Sequence, residues 1–211
     1  MRKPKSGFAA VYFRGRGEQL IILGGNDGQV QNRVEFMNLQ DGTWHKCASM
    51  LTRRDELAAC VGPNNMIYAI GGYGGTANQA CLSTVERYNV VTNAWEPVAP
   101  MNEGRRALAA IAMPDGIYAI GGYNGKDYIA SVERYDIAAD RWDIVSTLTA
   151  PKCTMTAVAS PNFNRFYVIG GFNGVQLNEV EVFDPKTRKF SVLPLKMAQK
   201  RFMHASAVII N

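Results

Sequence analysis

Histidine is nearly absent from this 211-residue chain, which holds only His45 and His204. A nucleophile–base pair is therefore hard to assemble. Neither H-E-x-x-H nor G-x-S-x-G occurs. Gly125-Lys126 approximates a phosphate loop, but Asp127 stands where Ser or Thr is needed and the first glycine is missing. The residue inventory argues against an enzyme, and no catalytic residue, cofactor or metal site is expected.

Cysteine is sparse too: Cys47, Cys60, Cys81 and Cys153 form no C-x-x-C pair. A disulfide framework or a zinc site would need closer, paired spacings. N-x-S/T sequons are missing as well, so a reducing, cytoplasmic setting is the simpler expectation. No apolar stretch reaches the roughly 18 residues of a membrane helix. The opening Met1-Arg2-Lys3-Pro4-Lys5 and the apolar run that follows superficially resemble a signal peptide. That run enters Arg14-Gly15-Arg16-Gly17 without a small-residue cleavage site, so it reads as a strand. Lys and Arg number 23 against 18 Asp and Glu, a net charge of +5 without a basic block. Such a balance permits an acidic partner and does not call for nucleic acid.

What the chain does have is an apolar fraction of 47%, twenty glycines, and a repeat. Gly24-Gly25, Gly71-Gly72, Gly121-Gly122 and Gly170-Gly171 are separated by 47, 50 and 49 residues, and an apolar run precedes each. Those runs suit strands buried on both faces. Val34-Glu35, Val85-Glu86, Val132-Glu133 and Val180-Glu181 come next, each followed by a large apolar residue: Met37, Tyr88, Tyr135 or Phe183. Seven residues later stand Trp44, Trp95, Trp142 and Phe190. Between them lie Asp41-Gly42, Thr92-Asn93, Ala139-Asp140 and Asp184-Pro185, which predict a hairpin. Each unit opens with a further strand, over 8–13, 57–61, 108–113 and 155–159. Strands a to d thus recur every 50 residues or so, and no stretch has a helical period.

A four-stranded unit of that length is a propeller blade. The doubled glycine after Ile-Tyr, the Val-Glu-x-Tyr and the spaced Trp resemble the kelch repeat of kelch-like proteins over essentially the whole chain. The expected fold is an all-β kelch propeller with blades near 5–50, 54–101, 105–148 and 152–197. Residues 201–211 are expected to begin a further blade. The resemblance implies a ring of six blades most often, a closed four-bladed ring being the alternative. Met37 and Phe190 depart from the repeat but stay large and apolar.

A basic residue precedes every strand a: Lys5, Arg54, Arg105, Lys152 and Arg201, at separations of 49, 51, 47 and 49. In a propeller the d-to-a and b-to-c loops share a face, so these cations would ring one mouth and attract carboxylates. Glu35, Glu86, Glu133 and Glu181 repeat in step with them, which leaves structural ion pairs as the other use. Arg53 and Arg106 break the pattern and are the better candidates for partner contact. Tyr73, Tyr123 and Phe172 follow the glycine doublets, Tyr128 joins them, and the loop over 76–81 is the least regular. Exposed Tyr and Arg are common interface anchors. Packing between neighbouring loops is the alternative for the aromatics. Cys153 reads as an ordinary exposed thiol.

By resemblance, kelch-like proteins hold short peptide segments of their targets on these loops. That implies substrate recognition for a cullin-type ubiquitin ligase, through a domain outside this chain. A cytoskeletal, actin-associated or scaffold role is the alternative. A kelch-like propeller can also house a copper radical oxidase, but its histidine ligands are not matched here.

Overall fold

The computed structural model describes residues 3–15 and 17–206. Its strands fall in four antiparallel sheets of four, each a meander in chain order. The first is β1 (Ala9–Gly15), β2 (Gly17–Leu23), β3 (Val34–Asn38) and β4 (Trp44–Lys46). The second is β5 (Ala58–Val61), β6 (Ile67–Ile70), β7 (Val85–Asn89) and β8 (Ala94–Val98). The third is β9 (Ala109–Met113), β10 (Gly116–Ile120), β11 (Ser131–Asp136) and β12 (Arg141–Thr147). The fourth is β13 (Thr156–Ala159), β14 (Phe166–Ile169), β15 (Val180–Asp184) and β16 (Lys189–Val192). These are the four blades, and their strands a to d match the expected order throughout. Among the described residues no helix is long and apolar enough to cross a membrane.

Two compact units divide the chain, Met1–Arg106 and Ala107–Asn211. In the first, the innermost strands β1 and β5 pack side by side. Ala9, Val11 and Phe13 of β1 are buried while Ala10, Tyr12 and Arg14 face outward, the period-two pattern of a strand with one face in the core. The second strand of a blade behaves differently. All of β6 and all of β10 are buried, as their unbroken apolar runs require. Leu23, Val34, Ile67 and Trp95 meet in the core of the first unit, and Ile120, Val132, Phe166 and Phe183 in that of the second.

The spaced aromatics pack across the strand pair c–d. Tyr88 stacks on Trp95 at 5.0 Å and Tyr135 on Trp142 at 5.2 Å. Phe190 keeps the arrangement in the fourth blade, 5.0 Å from Phe183. In the first blade Met37 faces Trp44, which is only half-buried. The Tyr88 and Tyr135 hydroxyls each donate to the turn residue beyond, Asn93 and Asp140, at 2.7 Å.

Three details differ from the sequence expectation. The left-handed residue of the c–d turn sits two positions before the aromatic, at Gly42, Asn93, Asp140 and Arg188. In the fourth blade it is thus Arg188, while Asp184 caps the turn by accepting from Lys186 N–H at 2.9 Å. The first hairpin is longer than the apolar runs suggest, because Arg14 pairs across from Glu18 and Tyr12 donates to Glu18 at 2.9 Å. A short 3₁₀ turn, Ala77–Gln79, interrupts the β6–β7 loop.

The strand expected over 201–211 lies partly outside the described residues, and 201–206 contain no strand. Met203 nonetheless has the left-handed backbone (φ 51°) of Glu56, Ala107 and Thr154 at the same repeat position.

Candidate functional site

The glycine doublets tie the loops together. The second glycine of each doublet donates its N–H to the carbonyl of the next repeated cation. Gly25 reaches Arg54 at 2.8 Å, while Gly72 reaches Arg105, Gly122 reaches Lys152 and Gly171 reaches Arg201, all at 2.9 Å. A Cβ on Gly24 (φ 62°) would lie 2.3 Å from the Arg54 carbonyl oxygen, so close approach and backbone sign both demand glycine there. The residue after the cation then bridges to the residue after the doublet: Ser6 to Asn26, Asp55 to Tyr73, Cys153 to Phe172. Both N–H···O=C bonds of the Asp55–Tyr73 bridge are present, at 2.9 and 2.7 Å. Within each blade concerned, the loop entering strand a therefore lies beside the loop leaving strand b.

The repeated cations themselves are largely withdrawn. Arg54 is 0% exposed. Its Nη1 donates to the carbonyls of Gly71 and Thr84, both at 2.8 Å, and its Nη2 to Thr84 Oγ1 at 3.0 Å and Glu86 Oε1 at 2.9 Å. Glu86 in turn accepts from the N–H groups of Leu51 at 2.6 Å and Thr52 at 3.0 Å. Burial pulls the Arg54 pKa down, and the Glu86 charge opposes that shift. Lys152 and Glu181 form a second buried pair, with Thr149 N–H donating to Glu181 at 2.9 Å. Arg105 is buried as well, with Glu103 3.9 Å from its Nη2. Lys5 is half-buried, its pKa lowered by burial against the pull of Glu35.

The expectation of exposed cations is therefore corrected at three positions. Arg54, Arg105 and Lys152 lie under the surface, and for Arg54 and Lys152 the in-step glutamates are the partners. A desolvated charge needs a fixed counter-charge and hydrogen bonds, and for Arg54 the strand-c glutamate and the loop backbone satisfy the two terminal nitrogens while Nε stays unpaired. Arg201 differs, being exposed.

Other sequence-derived residues remain at the surface. In the first unit Arg53 is exposed and donates to the Val30 carbonyl at 3.1 Å. Arg106 is about one-third exposed, 3.7 Å from Glu56, with its guanidinium carbon 5.6 Å from the centre of the Tyr73 ring. Burial raises the Glu56 pKa, with Arg106 pulling it down. Residues 76–78 are exposed and Cys81 half-buried.

In the second unit Tyr123 lies 5.7 Å from Tyr128, and Tyr128 meets Phe172 edge-on at 5.9 Å. These rings pack together, the second of the uses weighed for them, and stay partly exposed. Phe202 extends the strip, 5.7 Å from Phe172, and was not singled out by its sequence. Cys153, expected to be exposed, is buried, because it occupies the backbone bridge to Phe172. All four cysteines are free thiols. His204 is half-buried, and burial, with the Arg201 charge second, keeps its pKa below the ordinary value.

The sequence does carry a signal for Phe202. The residue after each cation runs Ser6, Asp55, Arg106, Cys153, Phe202, changing chemistry while the cation persists. A position that changes chemistry while its neighbours repeat is one at which the blades can present different surfaces.

Comparison with known proteins agrees with this geometry. Residues 7–211 match the family described as the KLHDC2/KLHL20/DRC7 Kelch-repeats domain. Kelch-like protein 28 of Homo sapiens is 35% identical over 117 residues, 52% of this chain and 20% of that protein. Kelch-like ECH-associated protein 1B of Danio rerio is 34% identical over 109 residues, 51% of this chain and 18% of that protein. For Kelch-like protein 40 of Xenopus tropicalis the identity is 30% over 106 residues, 49% and 17% of the two chains. The matched stretch spans about a fifth of these relatives. With four meander blades and a family match over nearly its full length, this chain belongs to the kelch-repeat family.

Proposed function

We propose that this chain is a substrate-recognition module for a cullin-type ubiquitin ligase, and that it binds acidic peptide segments on its loop face. The observation that carries the reading is the surface of the first unit around Arg106. A guanidinium held over the Tyr73 ring, 3.7 Å from Glu56 and about one-third exposed, presents a cation to a partner's carboxylate. Arg53 offers a second exposed cation, on the β4–β5 loop beside Arg54. In the second unit Tyr123, Tyr128 and Phe172 supply partly exposed aromatic area, with Arg201 near Phe202. Likeness to kelch-like proteins supports the ligase assignment. The further blades of a six-bladed ring belong to the same proposal, on that likeness alone.

The buried cations contribute field and scaffold rather than contact. Changing Arg53 and Arg106 together to Ala is therefore the test, in the parent protein expressed in cells. Loss of the captured target with the cullin retained is expected, since interface arginines are often worth about 2 kcal/mol or more. Capture that survives both substitutions, with the fold intact, sinks the loop-face reading. Weaker capture at higher salt is expected from the same charges.

A further inference from the structure

The outermost strand of a blade has one open edge, and the four blades treat that edge differently. The decisive position lies opposite the strand-c glutamate. It is Lys46 opposite Glu35, Pro97 opposite Glu86, Ile144 opposite Glu133 and Val192 opposite Glu181. Lysine and proline are devices that stop an edge from pairing with another chain, and β4 is kept to three residues besides. Neither device protects β12. It runs for seven residues, and Ile144 is 62% exposed upon it.

Pro97 also tells which way the backbone points. It has no N–H and yet sits within β8, so strand c makes no use of an N–H at this register. Ile144 occupies the same register and has an N–H, which is directed out of the sheet edge. At the next residue, Val145, β12 bulges, since Val132 pairs with Ser146 while Glu133 pairs with Ile144. The edge is thereby turned locally.

Beside it lies a groove of about 480 Å³, lined by Ile144, Ser146, Leu148, Arg188, Lys189 and Phe190 among others. Ser146 Oγ donates to the Arg188 carbonyl at 2.8 Å and fastens the β15–β16 turn against β12. Arg188 and Lys189 are exposed, and the described residues include no ion pair with either. No acidic residue lines the groove.

We propose that the β12 edge is a second docking surface, which takes an extended acidic segment of another protein as an added strand. Its backbone pairs at Ile144, alternate apolar side chains lie on Ile144 and Phe190, and its carboxylates meet Arg188 and Lys189. This surface uses neither Arg53 nor Arg106.

The test uses the 211-residue chain and a fluorescein-labelled synthetic peptide alternating valine and glutamate, read by anisotropy. Binding is expected, and a peptide with alternate amide nitrogens methylated should fail to bind. Ile144→Pro, copying Pro97, should weaken binding roughly tenfold, as should Arg188→Glu combined with Lys189→Glu. Ile144→Glu, which removes the apolar contact and sets a like charge against the peptide's carboxylates, is the alternative if the proline variant does not fold. No binding, or undiminished binding to the folded Ile144 variants, overturns the proposal. Loss on changing Arg53 and Arg106 instead would place the peptide on the loop face and overturn it equally. Self-association of the chain that Ile144→Pro abolishes would give the edge to a second copy, and again overturn it.

Discussion

Arg54 Nη2 lies 2.9 Å from Glu86 Oε1, and the two side chains are 0% and 3% exposed. The cation belongs to the loop before the second blade and the anion to that blade's third strand, so the pair fastens loop to sheet. Four further hydrogen bonds at lengths up to 3.0 Å involve the same two side chains and the backbone. Removing either partner leaves a desolvated charge with nothing opposite. Arg54→Ala and Glu86→Ala are each expected to cost about 3–5 kcal/mol by urea denaturation. Their combination should cost clearly less than the sum, a coupling that a double-mutant cycle measures.

Trp95 and Trp142 are 8% and 6% exposed, each stacked on the tyrosine of its own hairpin. Trp95 Nε1 also donates to the Ala48 carbonyl at 2.9 Å, which joins the second blade to the end of the first. Truncation to Ala should cost about 3–5 kcal/mol at either site. Trp44, half-buried and facing Met37, should cost measurably less in the same denaturation series.

Backbone sign separates two substitutions of equal size. Gly24→Ala puts a methyl 2.3 Å from a carbonyl oxygen at φ 62° and should destabilise by more than about 1–2 kcal/mol. Ala107 already has φ 52°, so Ala107→Gly relieves strain and should raise stability by roughly 0.5–1 kcal/mol. Opposite shifts in melting temperature are the readout.

Alkaline solution should unfold the chain through its buried weak acids. Burial pushes the Cys60 thiol from 9.0 up to about 12 and raises Tyr68, Tyr88 and Tyr118 as well. The folded state then holds protons that the unfolded chain releases, so stability falls as pH rises above about 9. Each such group adds a slope of about 1.4 kcal/mol per pH unit until its folded pKa is reached. Cys60→Ala should flatten the fall between pH 9 and about 12, measured by urea titration at stepped pH.

The strands were legible because glycine doublets, Val-Glu pairs and spaced aromatics each answer a backbone or packing need that recurs in every blade. Phe190 could stand for Trp because the site asks for a ring on Phe183, not for an indole N–H. The depth of the repeated cations was harder to see. Arg54 and Arg53 are neighbours of identical chemistry, and only the third dimension puts one against Glu86 and leaves the other in water. The bulge in β12 had no signal either, since it depends on which residues pair across the hairpin. Phe202 was within reach as an in-phase residue beside Arg201, but its stacking on Phe172 rests on loop geometry.

The bridges from Asp55 to Tyr73 and from Cys153 to Phe172 are made by main-chain atoms alone. The bridges themselves therefore tolerate different side chains, as the run from Ser6 through Phe202 illustrates, although Asp55 also accepts from Glu56 N–H at 2.9 Å and Cys153 is buried. A blade of this kind works like a socket of fixed gauge with a replaceable tip. Swapping the residue after a cation from one blade into another should re-address the surface and keep the bridge, with a lower melting temperature where Asp55 loses its hydrogen bonds or buried Cys153 is enlarged.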